Sequence, residues 1–407
     1  LIVSASRALA RLAAALSFAY VLRGRVLGVP ITALEVALIA LVVVYVVEKR
    51  VSHEAFPDPR RVAYSWPVAL LLGAATISVL VAPDHRAALG IWKAYFLEPS
   101  LAAYVIADVF RTRADLGKLL QGFFVAGIVV AVLNILAFLL AAGVHRPHLV
   151  EAPVVVLYNT PNATGLFLGP LIAAAAALAL FGDSRERGMG VLFIVVATPA
   201  LAFSFSRGAW LGVGLSLLLL AAIHPRRRLL VSGVAVLTLI TLLLPPVRKR
   251  VAHEFNPTDP YNSVNTRVDL WKATIKMMEH GLRPVLGSGL SGFKAAITPY
   301  KDLSGYHEDL IYPHNTLLTF WTETGLLGLL AFVWLAVDVV RRTGAALRRH
   351  TSRHAYHAAF AAAMVVTLVH GQLDVPFFKN DLAWLTLALV AMHAAALRQD
   401  EQTAGSN

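Results

Sequence analysis

Residues 119–142 read LLQGFFVAGIVVAVLNILAFLLAA, an apolar run in which Gln121 and Asn134 are the only strongly polar side chains. A helix of that length rises roughly 36 Å at ~1.5 Å per residue, enough to cross the ~30 Å hydrocarbon core of a bilayer. Comparable runs recur on both sides of it, at roughly 8–22, 31–47, 66–82, 89–110, 164–181, 188–204, 208–223, 229–245, 315–340, 355–371 and 381–397. Of the 407 residues, 57% are hydrophobic and 15% charged, more apolar surface than one soluble core of this size can hide. Lipid offers no partner for an unpaired backbone group, and the period-2 alternation of a membrane barrel is absent, so the runs read as helices. The expected fold is an all-α polytopic membrane protein of about twelve transmembrane helices. Residues 1–407 read as one membrane domain, with 246–314 a long periplasmic loop between the ninth and tenth helices. The opening segment is expected to remain as a span, because Arg23 and Arg25 follow it without a small-residue cleavage site.

Basic residues orient the chain. Connections after even-numbered spans, with the C-terminal tail, hold eighteen Lys and Arg, whereas the short odd-numbered connections hold six. The excess places the even connections and both termini in the cytoplasm and the long loop outside. The same bias accounts for most of the formal net charge of +12, so nucleic acid is not an expected partner. There is no cysteine, and no His-Glu-x-x-His, Walker or Asp-x-Asp pattern; no cofactor or metal is expected. Gly287-Ser288-Gly289-Leu290-Ser291-Gly292 satisfies GxGxxG, but no strand precedes it, and it reads as a turn in the outer loop.

Three polar points fall where chemistry could sit. Within the loop, Asn265 to Gly281 shows helical spacing of Val268, Trp271, Ile275 and Met278, and Arg267 lies in its first turn, a place suited to phosphate. Trp271 suits a helix at the membrane interface. Arg207 stands in the short outward turn Ser204-Phe205-Ser206-Arg207-Gly208, where snorkelling is the plainer explanation. His314 follows Pro313 at the re-entry of the tenth span, and a neutral imidazole there can accept a proton. Glu323 is an intramembrane carboxylate and hints at function; Lys93, Glu98 and Asp374 do so more weakly.

Taken in order, these elements resemble the O-antigen ligase and O-antigen polymerase superfamily. The resemblance rests on Ser-x-Ser-Arg-Gly at 204–208, Asn-x-Arg-x-x-x-Trp at 265–271, Gly-x-Gly-x-x-x-Phe at 287–293, and His-Asn-x-x-Leu with Glu-x-Gly-x-x-Gly over 314–328. Asn159 and Asn162, in Tyr158-Asn159-Thr160-Pro161-Asn162, resemble the family's Asn-rich element. The resemblance implies a bacterial inner-membrane glycosyltransferase acting at the periplasmic face without a metal. Its donor would be a glycan on undecaprenyl pyrophosphate, its acceptor a lipid-linked saccharide such as lipid A–core, and the transfer would invert the anomeric carbon. His314 would be the catalytic base and Arg207 and Arg267 the pyrophosphate contacts, with Asn159, Asn162, Asn315 and Glu323 in substrate binding. A polymerase of the same superfamily is the alternative. A small-anion transporter is the third reading, and it would place a midplane pocket near Lys93 and Glu98.

Overall fold

The computed structural model describes residues 5–26, 28–144, 155–158, 160–243, 247–248, 251–252, 263–300 and 310–404. In chain order the elements are α1 (Ala5–Ala15), the 3-10 turn Ser17–Val21, β1 (Arg23–Val26), β2 (Val29–Thr32), α2 (Ala33–Val51), the 3-10 turn Pro59–Arg61, α3 (Ser65–Val81), α4 (His85–Ile91), a π-helical turn Trp92–Leu97, α5 (Glu98–Val109), α6 (Arg113–Gly143), α7 (Pro161–Phe181), α8 (Ser184–Phe203), α9 (Arg207–Ile223) and α10 (Arg227–Leu243). The outer loop contributes α11 (Ser263–Met278), α12 (Arg283–Leu286) and α13 (Phe293–Ile297). The chain closes with α14 (Thr316–Arg349), α15 (His354–His370) and α16 (Asn380–Ala404).

Each of the twelve apolar segments coincides with helix. Among the described residues, five helices are long and apolar enough to cross a membrane: α6, α7, α8, α14 and most of α16; α3 and α9 are shorter apolar helices. Three details depart from the sequence reading. The first segment is broken into α1 and a 3-10 turn. Arg23–Val26 and Val29–Thr32 pair as an antiparallel hairpin, a strand element in a chain read as wholly helical. The fourth segment carries the π-turn at 92–97, a local widening that a periodic pattern does not reveal.

Local chemistry fixes the ends. Thr32 and Glu35 form a capping box at the start of α2, as do Asp183 and Glu186 at α8. Thr160 caps α7 just before Pro161, whose missing N–H costs nothing at that position. The alanine-rich α7 is the packing centre, in contact with α8, α9 and α15. Gly165 abuts Ala209 and Ser206, and Gly169 and Gly212 abut Val366, so small residues let these backbones approach closely. The outer helix α6 instead exposes Leu136, Leu139 and Leu140, as a lipid-facing surface would.

The basic connections meet at one end of the bundle. Lys49 Nζ lies 2.8 Å from Asp108 Oδ2, Arg113 Nε donates to Glu186 Oε1 at 2.9 Å, and Arg353 pairs with Asp400 at 2.8 Å. Arg113 also donates to the Ser352 carbonyl at 2.7 Å. The hairpin, the 371–379 connection, the outer-loop helices and the starts of α7, α9 and α14 gather at the other end.

Candidate active site

α14 begins where the chain re-enters the bundle. Asn315 is its N-cap, accepting the Leu318 N–H at 3.1 Å and donating to the Gln372 carbonyl at 3.2 Å. The Thr316 N–H bonds the Gly371 carbonyl at 2.7 Å, so the start of α14 is tied to the connection that leaves α15. His314, one residue before the cap, has a φ of 49°, a left-handed backbone that costs a histidine about 1–2 kcal/mol. That turn aims its imidazole at the same connection. His314 Nδ1 lies 3.2 Å from Asp374 Oδ1, the histidine side chain 28% exposed and the carboxylate 10%.

Asp374 is ionised. Burial alone would raise its carboxyl, but the hydrogen bond and charge of His314, then the charges of His370 and Arg267, hold it well below the usual carboxylate range. A carboxylate on Nδ1 fixes the tautomer in which that nitrogen carries the proton, leaving the Nε2 lone pair for another donor.

Arg267 reaches the same strip of backbone, with Nε donating to the Leu373 carbonyl at 2.7 Å. It lies in α11, which starts at Ser263, two residues earlier than the expected Asn265 cap, and stops at Met278 before Gly281. Trp271, one turn on, donates from Nε1 to the Pro313 carbonyl at 2.9 Å, so α11 is stitched to both sides of His314. Arg267 and His314 thus converge on consecutive residues, Leu373 and Asp374.

Arg207 opens α9 after the tight turn 204–206, in which Phe205 has a φ of 50°. Its neighbour Ser206 donates to Asn162 Oδ1 at 3.0 Å and lies 3.5 Å from His370 Nε2, while Gly208 packs flush against the His370 ring. A side chain at 208 would collide with that ring. The Arg207 turn is therefore seated on the end of α15, four residues before Asp374. Asn162 and Asn315 make bonds within the protein that hold the turn and the re-entry in place. Asn159 lies outside the described residues.

Glu323 sits about 10 Å further along α14, at ~1.5 Å per residue from Thr316. It is 0% exposed and accepts the backbone N–H groups of Ser291 at 2.6 Å and Phe293 at 3.3 Å. Two residues on, Gly325 leaves the helix with φ 68° and ψ −172°, a conformation open essentially to glycine. The Gly287–Gly292 turn presses into that break, where the Ser288 N–H bonds the Thr322 carbonyl at 2.6 Å. The GxGxxG segment is thus a turn, and Glu323 is its anchor. Lys93 pairs with Glu35 at 2.7 Å and reaches the Pro30 carbonyl of the hairpin, which puts it near the His314 end and not halfway along a helix.

Asp374 is the partner that sequence reading did not place, although its charge within an apolar neighbourhood drew notice. Among the described residues no group of three or more His, Cys, Asp or Glu is arranged to hold a metal ion.

Residues 191–333 match the family model described as O-antigen ligase. Over that segment the chain is similar to the O-antigen ligase family. The matched segment contains Arg207, Arg267, His314, Asn315 and Glu323; Asn162 and Asp374 lie outside it. An O-antigen ligase of Salmonella typhimurium (strain LT2) is 26% identical over 191 residues, 43% of this chain and 45% of that protein. A putative polysaccharide ligase of Rickettsia conorii is 26% identical over 191 residues, 44% of this chain and 45% of its own length. The alignments thus span a little under half the length of these relatives. The matched segment takes in the motifs read at 204–208, 265–271, 287–293 and 314–328, and the 158–162 element lies outside it.

Proposed function

We propose that this chain is a glycosyltransferase of the O-antigen ligase type, moving a glycan from a polyprenyl pyrophosphate, undecaprenyl by family resemblance, onto a sugar hydroxyl of a lipid-linked acceptor such as lipid A–core. The observation that carries the reading is the meeting of His314 and Arg267 on Leu373 and Asp374, beside the end of α15 on which the Arg207 turn rests. Both relatives carry names that say ligase, which favours that branch over a polymerase.

The acceptor hydroxyl oxygen would attack the anomeric carbon from the side opposite the pyrophosphate, giving inversion. Its proton would pass to His314 Nε2, within the usual reach of a general base. Asp374 would hold the ring and stabilise the imidazolium that forms. The carbon–oxygen bond to the pyrophosphate breaks with its electron pair going to the phosphate oxygen. The guanidinium groups of Arg207 and Arg267 would meet that growing charge, so that the fixed cations of the chain do the work without a metal. α11, stitched to the re-entry, would press donor and acceptor together. The arginine-rich end would face the cytoplasm by the positive-inside rule, placing the His314 end and the reaction outside the inner membrane.

Reconstitution of the full chain with an undecaprenyl-pyrophosphate-linked glycan tests this. Transfer to lipid A–core supports the ligase reading, and transfer only to a second lipid-linked repeat would replace it with a polymerase. Transfer to neither, from a donor that is bound, would remove the transferase reading.

A further inference from the structure

At the arginine-rich end, away from His314, four guanidinium groups from three parts of the chain share one pocket of about 170 Å³. Arg60 and Arg61 come from the turn Pro59–Arg61, Arg342 from α14 and Arg398 from α16, with Glu401 the one carboxylate among the described residues lining it. Ala394 and Leu397 give it an apolar wall.

The nearby carboxylates are already divided among several cations. Asp338 lies 2.8 Å from Arg342 Nε but also 2.8 Å from Arg341. Asp108, 3.5 Å from Arg398, is held at 2.8 Å by Lys49. Arg61 approaches Asp58 only at 4.0 Å, and Arg60 pairs with no carboxylate among the described residues. Arg342 is braced over the Tyr64 ring at 5.6 Å, so one of the four cations is positioned in advance.

We propose that this pocket binds a phosphate-bearing anion, with its guanidinium groups on the phosphate oxygens. A planar guanidinium fork matches phosphate geometry, and a basic pocket between helices at a membrane boundary suits a headgroup. Two sources share that chemistry. The phosphodiester of an anionic phospholipid would add apolar contact with the wall of Ala394 and Leu397; free phosphate would use the cations alone.

The test is thermal unfolding of the full chain in detergent, titrated separately with short-chain phosphatidylglycerol, phosphatidylcholine of equal length, and inorganic phosphate. Phosphatidylglycerol, but not phosphatidylcholine, is expected to raise the Tm. Arg60→Gln with Arg61→Gln, both on an exposed turn, should weaken that response roughly thirtyfold, at about tenfold per 1.4 kcal/mol and ~1 kcal/mol per arginine. Adding Arg342→Gln should weaken it further. A response to inorganic phosphate that the same variants lose supports the pocket with a soluble ligand as its source. Arg227→Gln with Arg228→Gln, on the same end but outside the pocket, should titrate as the unsubstituted chain does. The proposal is overturned if neither ligand raises the Tm, if the pocket variants respond as the unsubstituted chain, or if the Arg227 and Arg228 control weakens binding equally.

Discussion

His314 and Asp374, sixty positions apart, sit side by side because the first residue of α14 hydrogen-bonds the carbonyl that ends α15. Replacing His314 tests the base directly. Alanine is expected to lower transfer by at least 10²–10⁴-fold, the usual contribution of a general base. Asparagine serves as a second variant, since it tolerates the left-handed backbone at this position better than most residues. Glycan transfer in reconstituted vesicles is the measurement, with donor binding retained in both; full activity in either would remove the base.

Asp374→Asn is expected to lower the rate while leaving donor affinity nearly unchanged. It also carries a pH signature. The folded-state carboxyl is depressed, so its stabilising effect is complete above the unfolded value near 4 and is lost as pH falls toward the folded value. The Tm of the unsubstituted protein should therefore fall more steeply between pH 5 and pH 3 than that of Asp374→Asn. Parallel curves would mean that the carboxylate is not held as described.

Arg207→Ala and Arg267→Ala are each expected to raise the KM for donor about 10- to 100-fold, the scale of a charge-assisted hydrogen bond. Lysine should rescue Arg267 only in part, because the Leu373 carbonyl is met by a guanidinium Nε that lysine lacks. Donor titration of initial rates checks both. Treatment with a chelator should leave the rate unchanged.

Glu323→Gln replaces one acceptor oxygen with an amide that faces a backbone N–H. A loss of about 1–3 kcal/mol is expected, seen as a lower Tm and faster proteolysis between residues 283 and 297. If Glu323 instead contacts substrate directly, the KM would rise with the Tm unchanged.

The helices were legible in the sequence because burial in lipid demands long apolar runs, whereas α6, α7 and α8 start at Arg113, Pro161 and Ser184, three to six residues before their apolar runs, behind the caps Thr112, Thr160 and Asp183. The 23–32 hairpin was not legible, since Arg23, Arg25 and Gly24 are exposed and leave no alternating pattern. The π-turn and the break at Gly325 lie inside spans that each read as one helix, and hydropathy cannot register either. Of the site, motif order pointed to Arg207, Arg267 and His314. Asp374 escaped because its part depends on where two distant connections are joined, and spacing along the chain carries no trace of that. Glu323 drew notice for the right physical reason, the expense of a carboxylate in an apolar helix, yet its partners are the two backbone amides of a glycine-rich turn.

Riveting that turn to the interrupted helix has a consequence for how such a chain can diversify. The outer segment is held to the bundle at two levels of α14, through Glu323 on the Ser291 and Phe293 amides and through the cap at Asn315. A change that loosens the glycine-rich turn would leave the second anchorage, and with it the place of His314, intact.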